Sequence, residues 1–207
     1  SQTVELLQLN KNATFVSFRD TIIDADGIEF NRPKYRFGNS PLVITLDSFL
    51  RGNHVTLSGA SRGFRASVFR DFGDLNELCP TEDTPFLLRA LIRGNGLVLA
   101  EPGILYRKHD TNLSRPASIA SMDFSEIKNQ YQKDVQLALD KKWVSKELGQ
   151  RMYDWIDRNS RLRSFYVSLH EANYSYLFAM KHFFTNKDLS FRQRIILLRD
   201  TFRHSGR

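Results

Sequence analysis

Cysteine is almost absent from this chain: Cys79 stands alone among 207 residues. No disulfide can form within the chain, and no Cys/His cluster has the spacing of a zinc site. Long apolar runs are missing as well. No segment approaches the roughly 18 residues needed to span a bilayer, and Ser1-Gln2-Thr3-Val4-Glu5 lacks a basic stretch followed by a hydrophobic one. Internal repeats and low-complexity segments are absent too. These absences predict a soluble, cytoplasmic protein of a reducing compartment. A hydrophobic content of 41% is enough for one folded domain, or one domain plus an appendage, and excludes a disordered chain.

The net charge is +7, which raises a polyanion partner, but its distribution matters more than its size. Residues 1–122 hold 14 Lys and Arg against 13 Asp and Glu (+1), whereas residues 123–207 hold 16 against 10 (+6). The basic excess belongs to the tail. No helix-turn-helix, zinc-finger or RNA-recognition pattern accompanies it, so nucleic acid is disfavoured and an anionic membrane surface is at least as good a partner.

Periodicity divides the chain near residue 120. Leu6, Leu7 and Leu9 suggest the end of a helix, Thr14 to Phe18 a strand, and Thr21 to Phe30 a hairpin turning at Asp24-Ala25-Asp26-Gly27. Pro41 to Leu46 reads as a second short strand and Asp47 to Leu50 as a helical turn ending near Gly52. Helices are predicted over Arg65–Phe72 and Pro85–Arg93, then a strand around Leu97–Leu99. This is an α/β pattern. Beyond Asp123 strands disappear: Phe124, Ile127, Tyr131, Val135 and Ala138 recur at helical steps, as do Leu162, Phe165, Leu169, Ala172 and Tyr176. Ser190 and Gln193 form a capping-box pattern before Phe191, Ile195, Leu198 and Phe202. The division is an α/β part over 1–120 and a helical region over 121–207. In the last helix Arg192, Arg199 and Arg203 lie away from the apolar face, which either docks on the domain or lies on an anionic leaflet.

The most informative stretch is Thr81-Glu82-Asp83-Thr84-Pro85, an acidic pair directly before a helix. Thr84 suits the N-cap and Pro85 the first helical position, while Gly94 and Gly96 supply the stop. Asp83 then sits at a helix mouth, where the macrodipole favours a charged carboxylate. It is either a capping group or a base. Upstream lies Leu57-Ser58-Gly59-Ala60-Ser61-Arg62-Gly63-Phe64, and downstream Tyr106-Arg107-Lys108-His109-Asp110-Thr111-Asn112-Leu113-Ser114.

The ordered set of Gly-Ala loop, helix, Thr-Glu-Asp, helix ending in Gly, strand and Arg-x-His-x-x-Asn-x-Ser resembles the acceptor half of family 2 inverting glycosyltransferases of the GT-A fold. The resemblance covers roughly residues 10 to 115. It implies a partial GT-A fold and transfer of one sugar from a nucleotide-sugar donor to a glycan or lipid-linked acceptor, as in bacterial capsule or lipopolysaccharide synthesis. Asp83 would be the catalytic base, and Glu82 would orient the loop or touch the acceptor. His109 would help hold Mg²⁺ or Mn²⁺, or the donor diphosphate. Arg107 and Arg115 are candidate phosphate partners, since guanidinium forks match phosphate oxygens. Gly59 and Ala60 leave room for a sugar, or simply make a tight turn. The Gln-x-x-Arg-Trp motif of polymerising members is absent, because Trp143 follows Lys142 and Trp155 follows Asp154.

Ile22-Ile23-Asp24-Ala25-Asp26 matches the family's Asp-x-Asp metal motif in pattern, but Gly27 follows at once, as in a hairpin turn. On the turn reading the donor-binding half and its metal aspartates lie outside these residues, and the chain is a fragment of a longer enzyme that works in the cytoplasm or on the inner membrane face. The competing reading is a non-catalytic basic module that associates with anionic membrane or nucleic acid.

Overall fold

The computed structural model describes residues 1–29, 40–52, 58–109, 112 and 122–205; the side chains of 192, 200 and 202–205 are not considered. The elements in chain order are α1 (Gln2–Leu9), β1 (Ala13–Ile23), β2 (Leu42–Ile44), α2 (Leu46–Leu50), β3 (Arg62–Phe64), α3 (Ser67–Arg70), α4 (Asp83–Arg93) and β4 (Asn95–Arg107). Four helices follow: α5 (Phe124–Asp140), α6 (Lys146–Glu171), α7 (Tyr176–Thr185) and α8 (Phe191–Ser205). The described residues therefore form a mixed α/β structure. Its four-stranded sheet has the order β2-β4-β1-β3, with β1 and β4 parallel and both outer strands antiparallel.

The two central strands are longer than the sequence predicts. β4 continues through Glu101-Pro102-Gly103, although proline cannot donate to a ladder. Among the described residues β2 pairs only with Gly96 to Val98 and no strand pairs with that side of β4 from Leu99 onward, while register shifts near Arg19 absorb the irregularity on the β1 side. β3 was not foreseen: three residues around a glycine carry no readable alternation. The helix expected over Arg65–Phe72 is accordingly reduced to the four-residue α3.

α4 lies over the sheet and is fastened at its C-terminal end. Thr14 Oγ1 donates to Ala90 O at 2.7 Å, and Asn95 N–H donates to Asn12 O at 2.8 Å. Gly94 ends the helix in extended backbone rather than in the left-handed region; a Cβ there would stand 2.4 Å from Asn12 O. The stop is therefore a matter of close approach to the β1 entry.

One apolar cluster joins Phe15 of β1, Ile44, Phe49 and Val68 to Leu88 and Leu91 of α4. The same cluster contains Ile127, Tyr131, Val135 and Ala138 of α5, with Met152 and Ile156 of α6. Apolar packing thus crosses residue 120: α5 lies on α4, and α6 packs on α5 and α2. A smaller cluster of Phe165, Leu169, Ala179, Leu189 and Leu197 holds α7 and α8 against the distal part of α6. The apolar step Ala172–Tyr176 is not one helix: α6 ends at Glu171, with Asn173 and Tyr174 at φ 48° and 54° making the corner. Arg89 of α4 and Asp134 of α5 are fully buried within the larger assembly, at 0% and 1% side-chain exposure, and form a two-pronged pair at 2.8 and 3.0 Å. Gly73 O and Gln130 Nε2 complete their bonding at 2.8 and 2.9 Å. No helix among the described residues is long and apolar enough to cross a membrane.

Candidate functional site

α4 begins earlier than the sequence suggests. Glu82 is already in right-handed helical conformation at φ −88°, ψ −32°, and its carbonyl accepts Phe86 N–H at 3.1 Å. Thr84 is therefore inside the first turn and caps nothing. Its hydroxyl instead donates to Asp83 Oδ1 at 3.1 Å. Pro85 occupies the third helical position, still among those whose N–H would have no partner within the helix. Asp83 itself is the first helical residue, and no side chain caps the helix.

The Gly-Ala loop reaches this carboxylate. Ser61 Oγ donates to Phe18 O at 2.7 Å and lies 3.2 Å from Ser17 Oγ, which pins the loop to β1. Arg62 N–H closes the turn on Gly59 O at 3.3 Å. Gly59 is thereby brought so close to Asp83 that a Cβ on it would lie 2.3 Å from Oδ2 and 2.6 Å from Cβ of the aspartate. The space that glycine leaves is filled by Asp83. Ala60 is exposed at the turn, and Glu82 is exposed beside the helix mouth.

Three groups around Asp83 carry no signal in the sequence. Arg62 Nη1 donates to the main-chain carbonyl of Asp83 at 2.7 Å. Burial pulls the Arg62 guanidinium below its ordinary value, and the carboxylates of Asp83 and Asp20 work in the opposite sense. Asp20 Oδ1 is buried with no hydrogen-bond partner among the described residues, as is the hydroxyl of Tyr131 on α5. Burial pushes the Tyr131 phenol far up, so it stays protonated. Cys79 Sγ donates to Thr81 O at 3.2 Å, and burial pushes that thiol up as well. A charged residue in a Gly-rich turn, an aspartate in a strand and a tyrosine on a helical apolar stripe each look ordinary alone. Only the crossing of β1, β3, α4 and α5 assembles them.

Helix length explains the level at which they meet. From Ala90, where Thr14 fastens α4, back to Asp83 the helix rises about 10 Å, equal to about three residues of strand. A helix running back over the sheet from Thr14 thus carries Asp83 to about the level of Ser17 and Phe18, where Ser61 pins the Gly59 loop.

Arg107 and His109 stand elsewhere. Arg107 pairs with Ile23 at the far end of the ladder, and His109 follows it beyond the last paired residues. His109 is exposed; its N–H donates to Asn112 Oδ1 at 2.7 Å, and its Nε2 lies 3.2 Å from Asn112 Nδ2. Arg107 Nη1 donates to Asp24 O at 2.9 Å and to Ala25 O. The segment Asp24–Ile28 is a turn: Gly27 has φ +88°, and Asp24 Oδ1 accepts the N–H groups of Asp26 and Ile28 at 3.0 and 2.8 Å. Among the described residues the return strand of the predicted hairpin is represented by a single bridge, Ile23 to Glu29. Phe30 and Arg115 lie outside the described residues. Among those described, no three His, Cys, Asp or Glu side chains converge as a metal ion requires.

The chain matches no family model, no curated protein and no solved structure.

Proposed function

We propose that the chain is the acceptor-side part of an inverting glycosyltransferase of GT-A type, with Asp83 as its base. The observation that carries this reading is the seating of the Gly59 loop on Asp83 at the mouth of α4. It joins two separate pieces of the motif set at one place, beside the exposed Ala60 and Glu82. In transfer with inversion, the acceptor hydroxyl gives up its proton as its oxygen attacks the anomeric carbon. Asp83 takes that proton. Arg62, bonded to the Asp83 main chain, fixes the helix mouth, and Glu82 faces the acceptor. The described residues alone do not build a divalent-ion site. The Mg²⁺ or Mn²⁺ of such an enzyme would draw its carboxylates from a donor half outside these residues, with His109 helping to hold it and Arg107 meeting the donor diphosphate from this side. The acceptor is a glycan or a lipid-linked sugar, met at the cytoplasmic face of a membrane.

The test is sugar transfer by the full-length protein. Asp83→Asn is expected to lower the rate by about 10²- to 10⁴-fold while nucleotide-sugar binding in the presence of Mn²⁺, followed by calorimetry, stays intact. Undiminished transfer by the variant overturns the assignment. Polyanion binding that weakens steeply with salt, with indifference to nucleotide-sugars, would instead favour the non-catalytic basic module.

A further inference from the structure

The last helix buries different residues from those its apolar pattern predicts. In α8 the residues turned into the protein are Leu197 and Thr201, both essentially inaccessible. Phe191 and Ile195, members of the predicted apolar face, are left 75% and 49% exposed. α7 also leaves large apolar residues in water: Ala179 is buried, while Leu177 and Phe184, on the opposite side of the helix, are 80% and 69% exposed. Lys181 stands between Leu177 and Phe184, one turn from each. Phe184 lies in the last turn of α7 and Phe191 opens α8, so two exposed aromatic rings flank the connection Asn186–Ser190, with exposed Lys187 between them.

The charge here is mostly of one sign. Residues 176–205 hold six Lys and Arg against two acids, Asp188 and Asp200. Arg161 of α6 grips Asp188 with two bonds of 2.7 and 2.8 Å, which neutralises it. Arg194 turns inward, donating to the carbonyls of Asn186, Leu189 and Phe183, and so stiffens the connection. A rigid tip with exposed large apolar groups set among lysines matches the chemistry of an anionic bilayer surface, where apolar side chains enter the headgroup boundary and lysines meet lipid phosphates.

We propose that the α7–α8 hairpin is a docking surface for anionic membranes, with Phe184 and Phe191 inserting and Lys181 and Lys187 holding the headgroups. The surface lies on the smaller apolar cluster and does not depend on the reading of Asp83. The test is flotation of the full chain with vesicles of phosphatidylcholine alone and with added phosphatidylserine. Binding is expected only to the anionic vesicles and should weaken with salt. The double change Phe184→Ser and Phe191→Ser, at side chains already in water, should lower the affinity at least about tenfold with an unchanged circular dichroism spectrum. Lys181→Glu with Lys187→Glu should do likewise. If the phenylalanine pair disturbs folding, Leu177→Ser with Ile195→Ser replaces it. Absence of binding to anionic vesicles, or binding indifferent to these changes, overturns the proposal. So does a wild-type dimer that the serine changes dissociate, because the surface would then belong to a second copy.

Discussion

Gly59 and Asp83 are in backbone-to-side-chain contact across 24 residues of sequence: a Cβ at 59 would lie 2.3 Å from Oδ2, 2.6 Å from Cβ and 2.8 Å from Cγ of the aspartate. A flexible carboxylate end could swing away, but the Asp83 Cβ cannot move without its helix. Gly59→Ala should therefore displace either the loop or the start of α4, at a cost of about 1 to 3 kcal/mol in urea unfolding. Combining it with Asp83→Ala should not restore stability, since the obstructing Cβ remains, whereas Asp83→Gly should relieve the clash itself. Full recovery in the Asp83→Ala background would mean that the carboxylate alone fills the space.

The Arg89–Asp134 pair makes the docking of α5 on α4 conditional on both charges. Burial pushes the Asp134 carboxyl up, and the Arg89 and Gln130 hydrogen bonds pull against it. The Arg89 guanidinium also lies 5.3 and 5.6 Å from the ring centres of Phe72 and Phe86. Asp134→Ala, which strands the buried cation, should destabilise by about 3 to 5 kcal/mol. Replacing both residues with apolar ones, as Arg89→Met with Asp134→Leu, should cost clearly less than the single change. Denaturant midpoints of the three proteins decide this.

What could be read beforehand follows from the range of the forces involved. The Ser190–Gln193 box is local, and both of its bonds form, at 2.8 and 3.3 Å. The Asp24–Gly27 turn is equally local. Ile127, Tyr131, Val135 and Ala138 are all buried at their helical spacing on α5. The failures are places where a distant neighbour decides. Arg89 interrupts an apolar helix as though it faced water, yet a carboxylate 45 residues away allows it to be buried. Phe191 and Ile195 obey the helical period but not the core, because α8 turns Leu197 and Thr201 inward. At the candidate site, Asp83 and Gly59 could be named from their motifs. Arg62, Asp20 and Tyr131 could not, since their meeting depends on the length of α4 and the register of β3 on β1.

Tyr131 offers a separate test of the site's interior. Its hydroxyl is buried beneath the loop and helix mouth without a hydrogen-bond partner among the described residues, while its ring packs against Trp155 at 5.3 Å. Removing an unsatisfied polar group while keeping the ring should not destabilise and should gain about 1 kcal/mol. Tyr131→Phe is thus expected to melt at or above the wild-type temperature. A loss of more than about 1 kcal/mol would show that the hydroxyl is bonded in solution, for which a bound water is the simplest partner.

His182 gives the helical end a pH response with a definite sign. Its ring lies between Phe178 and Phe165, at 4.4 and 4.9 Å between centres. Desolvation, and to a lesser degree Lys181, pulls its pKa below the ordinary 6.5. Between the folded value and 6.5 the unfolded chain therefore binds more protons than the folded one, so stability is complete above 6.5 and declines as the pH falls through the folded pKa. Asp188, held low by Arg161, loses its contribution only below 3.8, outside this window. The raised Asp134 carboxyl acts in the opposite direction, and subtracting a non-titrating variant removes it from the comparison. His182→Gln should accordingly show a smaller drop in melting temperature between pH 7.5 and pH 5 than the wild type. Parallel melting profiles for the two proteins across that range would show that the imidazole titrates alike in the folded and unfolded chains.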